Sequence, residues 1–338
     1  MTDQVLLDQA RAGHQDAFSD LVQPYRRELH VHCYRMLGSF DDADDAVQET
    51  LLAAWRGLAG YQARASVRTW LYRVATNTCL NLLRAASRRP QMAEPLPASA
   101  PAPTGSSEVT WLQPYPDALL DSLPDDQAGP DARLEQREAV SLAFITALQL
   151  LSPRARAVLI LRDVLGFSAR ETAEALDSTP EAVAMTLSRA RAALRPGAPA
   201  RSAAAAAAAR PGASAEARLV RQLTAALTAH DVEAVVALLA EDIRITMPPL
   251  PAVWLGRRDA ARFLAEVAFR LVPQARFVVT RANHQPALAV YTRDDANGLW
   301  RASGLLVLTV DGDRVTGLTR FESATLRSFE LPRILPGS

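Results

Sequence analysis

Residues 168–195 constrain this chain more tightly than any other stretch. Ser168, followed three residues later by Glu171, forms a capping box and predicts a short helix from Ala169 to Leu176. Asp177-Ser178 interrupts it; Thr179 is placed to cap a second helix, and Pro180 suits that helix's first position, where no backbone donor is needed. In the second helix Val183, Leu187, Ala190 and Leu194 recur at helical spacing and define one core-facing stripe. Glu181, Met185, Ser188, Arg189, Ala192 and Arg195 fall on the other side, with Arg191 at its edge. Two short helices, a tight turn and an arginine-bearing outer face describe a helix-turn-helix whose second helix enters a major groove. An ordinary helical hairpin with a solvated arginine face has the same pattern, so this stretch alone leaves both readings open.

The rest of the chain narrows the choice. Its 338 residues suffice for two or three domains. No uncharged apolar run is long enough to span a membrane, and Met1-Thr2-Asp3-Gln4 lacks the basic and apolar blocks of a signal peptide. Cys33 and Cys79 provide neither a disulfide framework nor a C-x-x-C pair, so a reduced, cytoplasmic protein is expected. His30, His32 and Cys33 do not form a metal site: His30 and His32 lie on different sides of a helix, with no nearby residue to complete a ligand set. No cofactor is called for. All 37 basic residues are arginine, which with the abundance of alanine points to a G+C-rich genome and not to a function.

Zero net charge conceals blocks of one sign. Residues 41–50 hold Asp41, Asp42, Asp44, Asp45 and Glu49 without a base. Residues 51–89 hold Arg56, Arg64, Arg68, Arg73, Arg84, Arg88 and Arg89 without an acid, and residues 90–136 set eight acids against Arg133. Solvated surfaces normally mix their signs, so this alternation asks for distinct partners.

Helical spacing runs through residues 5–35. It continues in an amphipathic helix from Asp41 to Trp55, with Ala43, Ala46, Val47, Thr50, Leu51 and Ala54 on one face and Asp42, Asp45 and Glu49 on another. After a loop, the helix predicted over Val67–Ala86 carries Arg68, Trp70, Tyr72, Arg73, Asn77, Asn81 and Arg84. Aromatic, amide and guanidinium groups without a carboxylate suit single-stranded DNA, where bases stack on rings and phosphates meet arginines. Core packing is the competing role for Trp70 and Tyr72.

Three motifs in order carry a family resemblance: Asp41-Asp42-Ala43-Asp44-Asp45-Ala46-Val47-Gln48-Glu49-Thr50, then Arg68-Thr69-Trp70-Leu71-Tyr72-Arg73-Val74-Ala75-Thr76-Asn77, then Ser188-Arg189-Ala190-Arg191-Ala192-Ala193-Leu194. Over residues 5–195 the chain resembles bacterial extracytoplasmic-function sigma factors. The resemblance implies a multidomain protein with two all-α DNA-binding domains: region two at 5–89 and a region-four helix-turn-helix at 137–195. It implies core RNA polymerase and promoter DNA as partners. On this resemblance Asp41, Asp42, Asp45, Gln48 and Glu49 dock on the clamp helices of the largest polymerase subunit. Arg64, Arg68, Trp70, Tyr72, Arg73, Asn77, Asn81 and Arg84 open and read the minus-ten element. Thr179, Glu181, Met185, Ser188, Arg189, Arg191 and Arg195 read the minus-thirty-five element. The chain departs from the family pattern in lacking an acid within Ser152-Pro153-Arg154-Ala155-Arg156 and a glycine in the turn at 177–179.

Residues 90–136 read as an acidic, proline-rich linker, in which Trp111, Leu112, Pro114 and Tyr115 form an apolar patch suited to docking. A similar Trp-Leu-Pro motif occurs in sigma factors carrying an extra C-terminal domain. Residues 196–215 form an Ala/Pro linker. Beyond it, predicted helices give way to alternating segments at 243–247, 276–284, 287–293, 299–310 and 314–323. With the Ile245…Pro248…Trp254-Leu255-Gly256-Arg257 stretch, this order over 216–325 resembles the α+β SnoaL-like cone. Some relatives of that fold are cyclases or isomerases with an Asp and a His as acid and base; Asp242, His284 and Glu322 are available here, but no motif pairs them. A regulatory domain acting by contact or ligand sensing is therefore expected, with a helix-turn-helix repressor and a cone-centred enzyme as the alternatives. The sequence names neither a small ligand nor a separate anti-sigma partner.

Overall fold

The computed structural model describes residues 3–62, 65–86, 100–109, 111–121, 138–195 and 213–336. They fall into two compact units. The first gathers the described residues within 1–90 and 145–200; the second gathers those within 91–122, 129–144 and 201–338.

The first unit begins with α1 (Asp3–Arg11), α2 (Gln15–Val22), α3 (Arg26–Leu37), α4 (Phe40–Gly57) and α5 (Val67–Ala86). Gly38 ends α3 in the left-handed region at φ 76°, returning its N–H to Tyr34 O at 2.7 Å. Ser39 then caps α4 by accepting from the Asp42 N–H at 3.1 Å, and Asp41 and Asp42 complement the positive end of the helix. The stripe expected on α4 is the face it buries: Ala43, Ala46, Val47, Thr50, Leu51 and Ala54. Leu29, Tyr34, Met36, Leu71 and Tyr72 fill the centre of the bundle. Cys33 and Cys79 are buried free thiols.

The same unit continues with α6 (Leu142–Gln149, from Ile145 onward), α7 (Pro153–Leu159), α8 (Ala169–Ala175) and α9 (Pro180–Ala193). Ser168 and Glu171 make both bonds of the capping box, and Thr179 accepts from the Ala182 N–H at 3.2 Å. The turn that lacks glycine is made by Asp177 at φ 46°, a conformation that aspartate tolerates better than most residues.

The second unit is an eight-stranded sheet packed on α10 (Ala213–Thr228), α11 (Val232–Leu238) and α12 (Arg257–Phe263). Its strands are β1 (Gly105–Ser106), β2 (Leu239–Met247), β3 (Leu250–Leu255), β4 (Ala275–Ala282), β5 (Gln285–Arg293), β6 (Trp300–Asp311), β7 (Arg314–Glu322) and β8 (Ile334–Leu335). They are ordered β1-β3-β2-β7-β6-β5-β4, with β8 on β6. Among the described strands only β2 and β7 pair in parallel. Leu223, Val235, Ile243, Trp254, Leu308 and Val315 are nearly inaccessible in its core, and the Trp254 ring meets that of Phe263 at 4.3 Å.

Composition presents residues 90–136 as a linker, yet the described parts of that segment belong to the second unit. Residues 104–107 lengthen the sheet beyond β3: the Thr104 N–H donates to Val253 O at 2.9 Å and the Trp254 Nε1–H donates to Pro101 O at 3.2 Å. At the opposite edge Pro116 bridges Ala282 on β4. Asn283 and His284, both at left-handed φ, make the two-residue β4–β5 turn. The Asn283 side chain is fully buried there, accepting from the Tyr115 N–H at 2.8 Å and donating to Val140 O at 2.6 Å. Leu112, Pro114 and Tyr115 are buried and Trp111 is half-buried. Hydrophobic periodicity could not reveal this, because the segment's partners are backbone groups of a sheet distant in sequence.

Histidine burial makes the first unit acid-sensitive. Thr76 Oγ1 donates to Tyr72 O at 2.7 Å, so it accepts from His32 Nε2 at 2.9 Å; His32 is the Nε2–H tautomer, and its buried Nδ1 has no partner among the described residues. Burial, with Arg35 nearby, lowers the His32 pKa to about 3. Burial also lowers that of His30 to about 4, against the opposing pull of Asp44. Unfolded, each ring takes a proton near pH 6.5, so below that value the unfolded state binds more protons and stability falls as pH falls. Urea unfolding of the first unit should lose about 2 kcal/mol per histidine between pH 7 and pH 5. His32→Gln should show a smaller loss over the same interval; an equal loss would rule out His32 as a source.

Candidate nucleic-acid interface

Three surfaces of the first unit gather the site residues. On α4, Asp41, Asp42, Asp45, Gln48 and Glu49 are all exposed. Gln48 donates to Asp44 one turn back at 3.2 Å. Leu52, 55 % exposed, lies one turn beyond Gln48 and Glu49 and adds an apolar contact to the acidic face. The hydrophobic pattern does not single it out, because Leu51 beside it is the core residue.

On α5 the expected residues separate by role. Trp70 is half-exposed and stacks on the buried Tyr61 ring at 4.8 Å and 29°. Arg73, Asn81 and Arg84 are exposed, and Arg84 donates to Asn81 Oδ1 at 2.7 Å. Tyr72 corrects the expectation. Its side chain is 1 % exposed, its ring lies edge-on to His32 and Phe167, and its hydroxyl donates to Glu28 at 3.2 Å, so it serves the core and not a base. Burial and the Glu28 carboxylate push its phenol pKa up. Arg68 is also committed internally, with Nε 3.0 Å and Nη2 2.9 Å from Glu28. Glu28 lies outside the three motifs, and a lone glutamate on an amphipathic helix gives no sequence signal for this role. Arg64 lies outside the described residues.

The α5 face also meets the helix-turn-helix. Asn77 Nδ2 donates to Ala175 O at 3.4 Å, and Arg73 faces Asp177 at 3.6 Å. Beneath them, Arg156 is 2 % exposed and donates to Leu148 O at 2.9 Å, Gln149 O at 3.0 Å, Leu151 O at 3.2 Å, the Gln149 side chain and Met36 O. Burial lowers its pKa to about 10, against the pull of Cys79.

On α9, Val183, Leu187 and Ala190 are buried as the stripe requires. Glu181, Met185, Ser188, Arg189 and Arg195 are exposed. Thr179 spends its hydroxyl on the cap. Arg191 is held by Asp163 through bonds of 2.9 Å and 2.7 Å, leaving Arg189 and Arg195 as the arginines on that face without a carboxylate partner among the described residues.

In the second unit Asp242 and Glu322 are exposed, and His284 stands in the β4–β5 turn, its backbone N–H on Asp117 at 2.7 Å. Among the described residues no hydrogen bond joins any two of the three. Nor do the described residues include a group of three or more His, Cys, Asp or Glu placed to hold a metal ion, or a helix long and apolar enough to cross a membrane.

Three families match successive stretches of the chain. Residues 21–89 match the Sigma-70 region 2 family, residues 141–194 the Sigma-70, region 4 family, and residues 220–322 the SnoaL-like domain. The chain is 40 % identical over 321 residues to the ECF RNA polymerase sigma factor SigG of Mycobacterium tuberculosis, covering 93 % of this chain and 84 % of that protein. It is 30 % identical to the ECF RNA polymerase sigma-E factor of Escherichia coli, over 57 % of this chain and 93 % of the relative. The crystal structure of the extracytoplasmic function sigma factor SigJ of M. tuberculosis superimposes with a TM-score of 0.58 at 23 % identity, covering 91 % of this chain and 97 % of that one, and so supports the fold.

Glu28 provides a direct test of the α5 geometry. Glu28→Ala removes the acceptor from the buried Tyr72 hydroxyl and the partner of the half-exposed Arg68, which should cost the first unit about 1–2 kcal/mol. Tyr72→Phe combined with Glu28→Ala should recover part of the loss in urea unfolding. A double variant no more stable than Glu28→Ala would show that the hydroxyl is not the group left wanting.

Proposed function

Because this chain belongs to the extracytoplasmic-function RNA polymerase sigma factors, we propose that its first unit carries both halves of promoter recognition and its second unit modulates them. The protein directs core RNA polymerase to specific promoters and acts where polymerase acts, in the cytoplasm. The observation that supports this best is the pairing of opposite surfaces in one helical unit: the exposed acids of α4 and the acid-free, arginine-bearing α5. A repressor needs only the helix-turn-helix and has no use for that pair.

On this reading Asp41, Asp42, Asp45, Gln48 and Glu49 face basic groups on core polymerase, with Leu52 packing among them. An apolar side chain within a charged rim is the usual arrangement of a specific interface. Trp70, Arg73, Asn77, Asn81 and Arg84 face the opened minus-ten strand, where the Tyr61 ring holds Trp70 ready to stack on a base. Glu181, Met185, Ser188, Arg189 and Arg195 face the minus-thirty-five major groove. Arg189 reads a base edge, and Arg191, held by Asp163, fixes the helix orientation.

The second unit acts by contact and not by turnover, since Asp242, His284 and Glu322 are not assembled into an acid–base pair. Leu112, Pro114 and Tyr115 bury their apolar surface in that unit, which ties it to the chain joining the two DNA-binding regions.

Run-off transcription with purified core polymerase tests the reading. The full-length protein should yield promoter-specific transcripts, and truncation after Arg195 should change their yield. Arg189→Ala should cost about 1–3 kcal/mol of promoter binding and relax specificity at one position, whereas a phosphate contact would weaken all sequences alike. Absence of any core-dependent transcript would refute the assignment, and unchanged promoter selectivity in Arg189→Ala would refute the orientation of α9.

A further inference from the structure

We propose that Arg11, on the N-terminal helix α1, is a positioning residue for minus-ten reading: it fixes Tyr61, and through Tyr61 the attitude of Trp70. The inference rests on the assignment of Trp70 to the opened minus-ten strand. The Sigma-70 region 2 match begins at residue 21, so α1 lies ahead of it and holds none of the assigned promoter contacts. Leu6, Leu7 and Ala10 bury one stripe of α1, which fixes the helix on the bundle. Arg11 is the last residue of that helix. Its Nη2 donates to Tyr61 O, 50 residues on in sequence, and its guanidinium carbon stands 5.8 Å from the centre of the Tyr61 ring. Asp8, one turn back, is 3.8 Å away and steadies the same group.

Tyr61 in turn ties the segment between α4 and α5 to the start of α5. Its buried ring stacks on that of Trp70, in the first turn of α5, and its hydroxyl donates to Ala65 O at 2.5 Å. Ser66 follows Ala65 and caps the helix: its Oγ accepts from the Thr69 N–H at 3.1 Å and its carbonyl from the Trp70 N–H at 3.0 Å. One tyrosine therefore holds both the Trp70 ring and the residue that precedes the cap of its helix. The carbonyl of that tyrosine is the group Arg11 grips. Arg11, Tyr61 and Trp70 form a chain of direct contacts from α1 to the ring assigned to a base.

The bonding of Arg11 suits positioning better than a direct grip on DNA. A carbonyl, a carboxylate and a ring already occupy its guanidinium, and its side chain is 32 % exposed. Of the three groups in the chain, half-exposed Trp70 is the one with ring surface to offer a base. A ring that stacks on a base gives up its own rotamer freedom, and a ring already fixed has less to give up. Loss of Arg11 would leave Trp70 in place but less constrained, so the ordering would be charged to strand capture. Docking on polymerase and reading of the minus-thirty-five element use α4 and α9, which Arg11 does not hold.

Holoenzyme assembled from core polymerase and the full-length protein tests this on a promoter that the unaltered protein transcribes. A fluorescent base analogue in the minus-ten element reports strand opening, and affinity for the same duplex is measured at low temperature, before opening. Arg11→Ala should slow opening by about fivefold, the effect of immobilising one side chain. Affinity for core and for the unopened duplex should stay within about twofold. Arg11→Met, which keeps the apolar stem, should behave like Arg11→Ala, whereas Arg11→Lys, which keeps a charged donor, should recover part of the rate. In a Trp70→Ala background Arg11→Ala should add nothing, since its effect runs through that ring. Circular dichroism confirms that each variant is folded. Unchanged opening in Arg11→Ala and Arg11→Met, or losses that add to that of Trp70→Ala, would overturn the positioning role. So would a matching loss of duplex affinity with a shallower salt dependence, which marks a phosphate contact. If the unaltered holoenzyme transcribes no promoter, the sigma assignment itself falls and the positioning role with it, a result distinct from failure of the variants alone.

Discussion

A guanidinium buried without a carboxylate sets the form of the first unit. Arg156 collects the carbonyls of Leu148 and Gln149 at the end of α6 and of Leu151 just beyond it, and it also reaches Met36 at the end of α3. Leaving such a group dry and unpaired would be costly, so the backbone around it must keep every carbonyl in place. That requirement fixes the end of one helix, the start of α7 and the left-handed turn at Gly38 together. The arginine that organises the helix-turn-helix module is therefore also the group that touches region two.

The elements that could be read in the chain are those whose signal is local. The Ser168–Glu171 capping box, the Thr179-Pro180 start and the α4 stripe depend on residues within two turns of one another, and each occurs as expected. The order of the three regions was legible for the same reason: each motif is a short run on one helix. Leu250–Leu255 carries a weak strand signal because Pro249 precedes it and Pro251 interrupts it, although β3 tolerates the latter beside a sheet edge. Tyr72 and Arg68 were legible as types but not as roles, since Glu28, 40 and 44 residues away, decides both. The fold of residues 100–121 was illegible in principle, because a proline-rich segment that pairs with the edge of a distant sheet carries no period of its own.

The second unit gives the sequence order a physical meaning. Its sheet continues into residues 104–107 at one edge and is met by Pro116 at the other, so the chain between the two DNA-binding regions completes a domain whose main body lies at the C-terminus. Covering both edges with the chain's own segments removes unpaired strands that invite association. It also explains why a tryptophan, a leucine and a tyrosine stand in an acidic, proline-rich stretch: Leu112 and Tyr115 are 6 % and 1 % exposed. The Asn283-His284 turn has the same economy, making the hairpin and binding Tyr115 with one residue pair.

The central claim is that the regions on the first unit read two separated elements only in partnership with polymerase. Hydroxyl-radical footprinting on a promoter fragment, with and without core enzyme, tests it most directly. Two separate blocks on one face of the duplex should be protected when core and the full-length protein are both present. Protection by the protein alone of a single two-fold-symmetric site, unchanged by core polymerase, would contradict it.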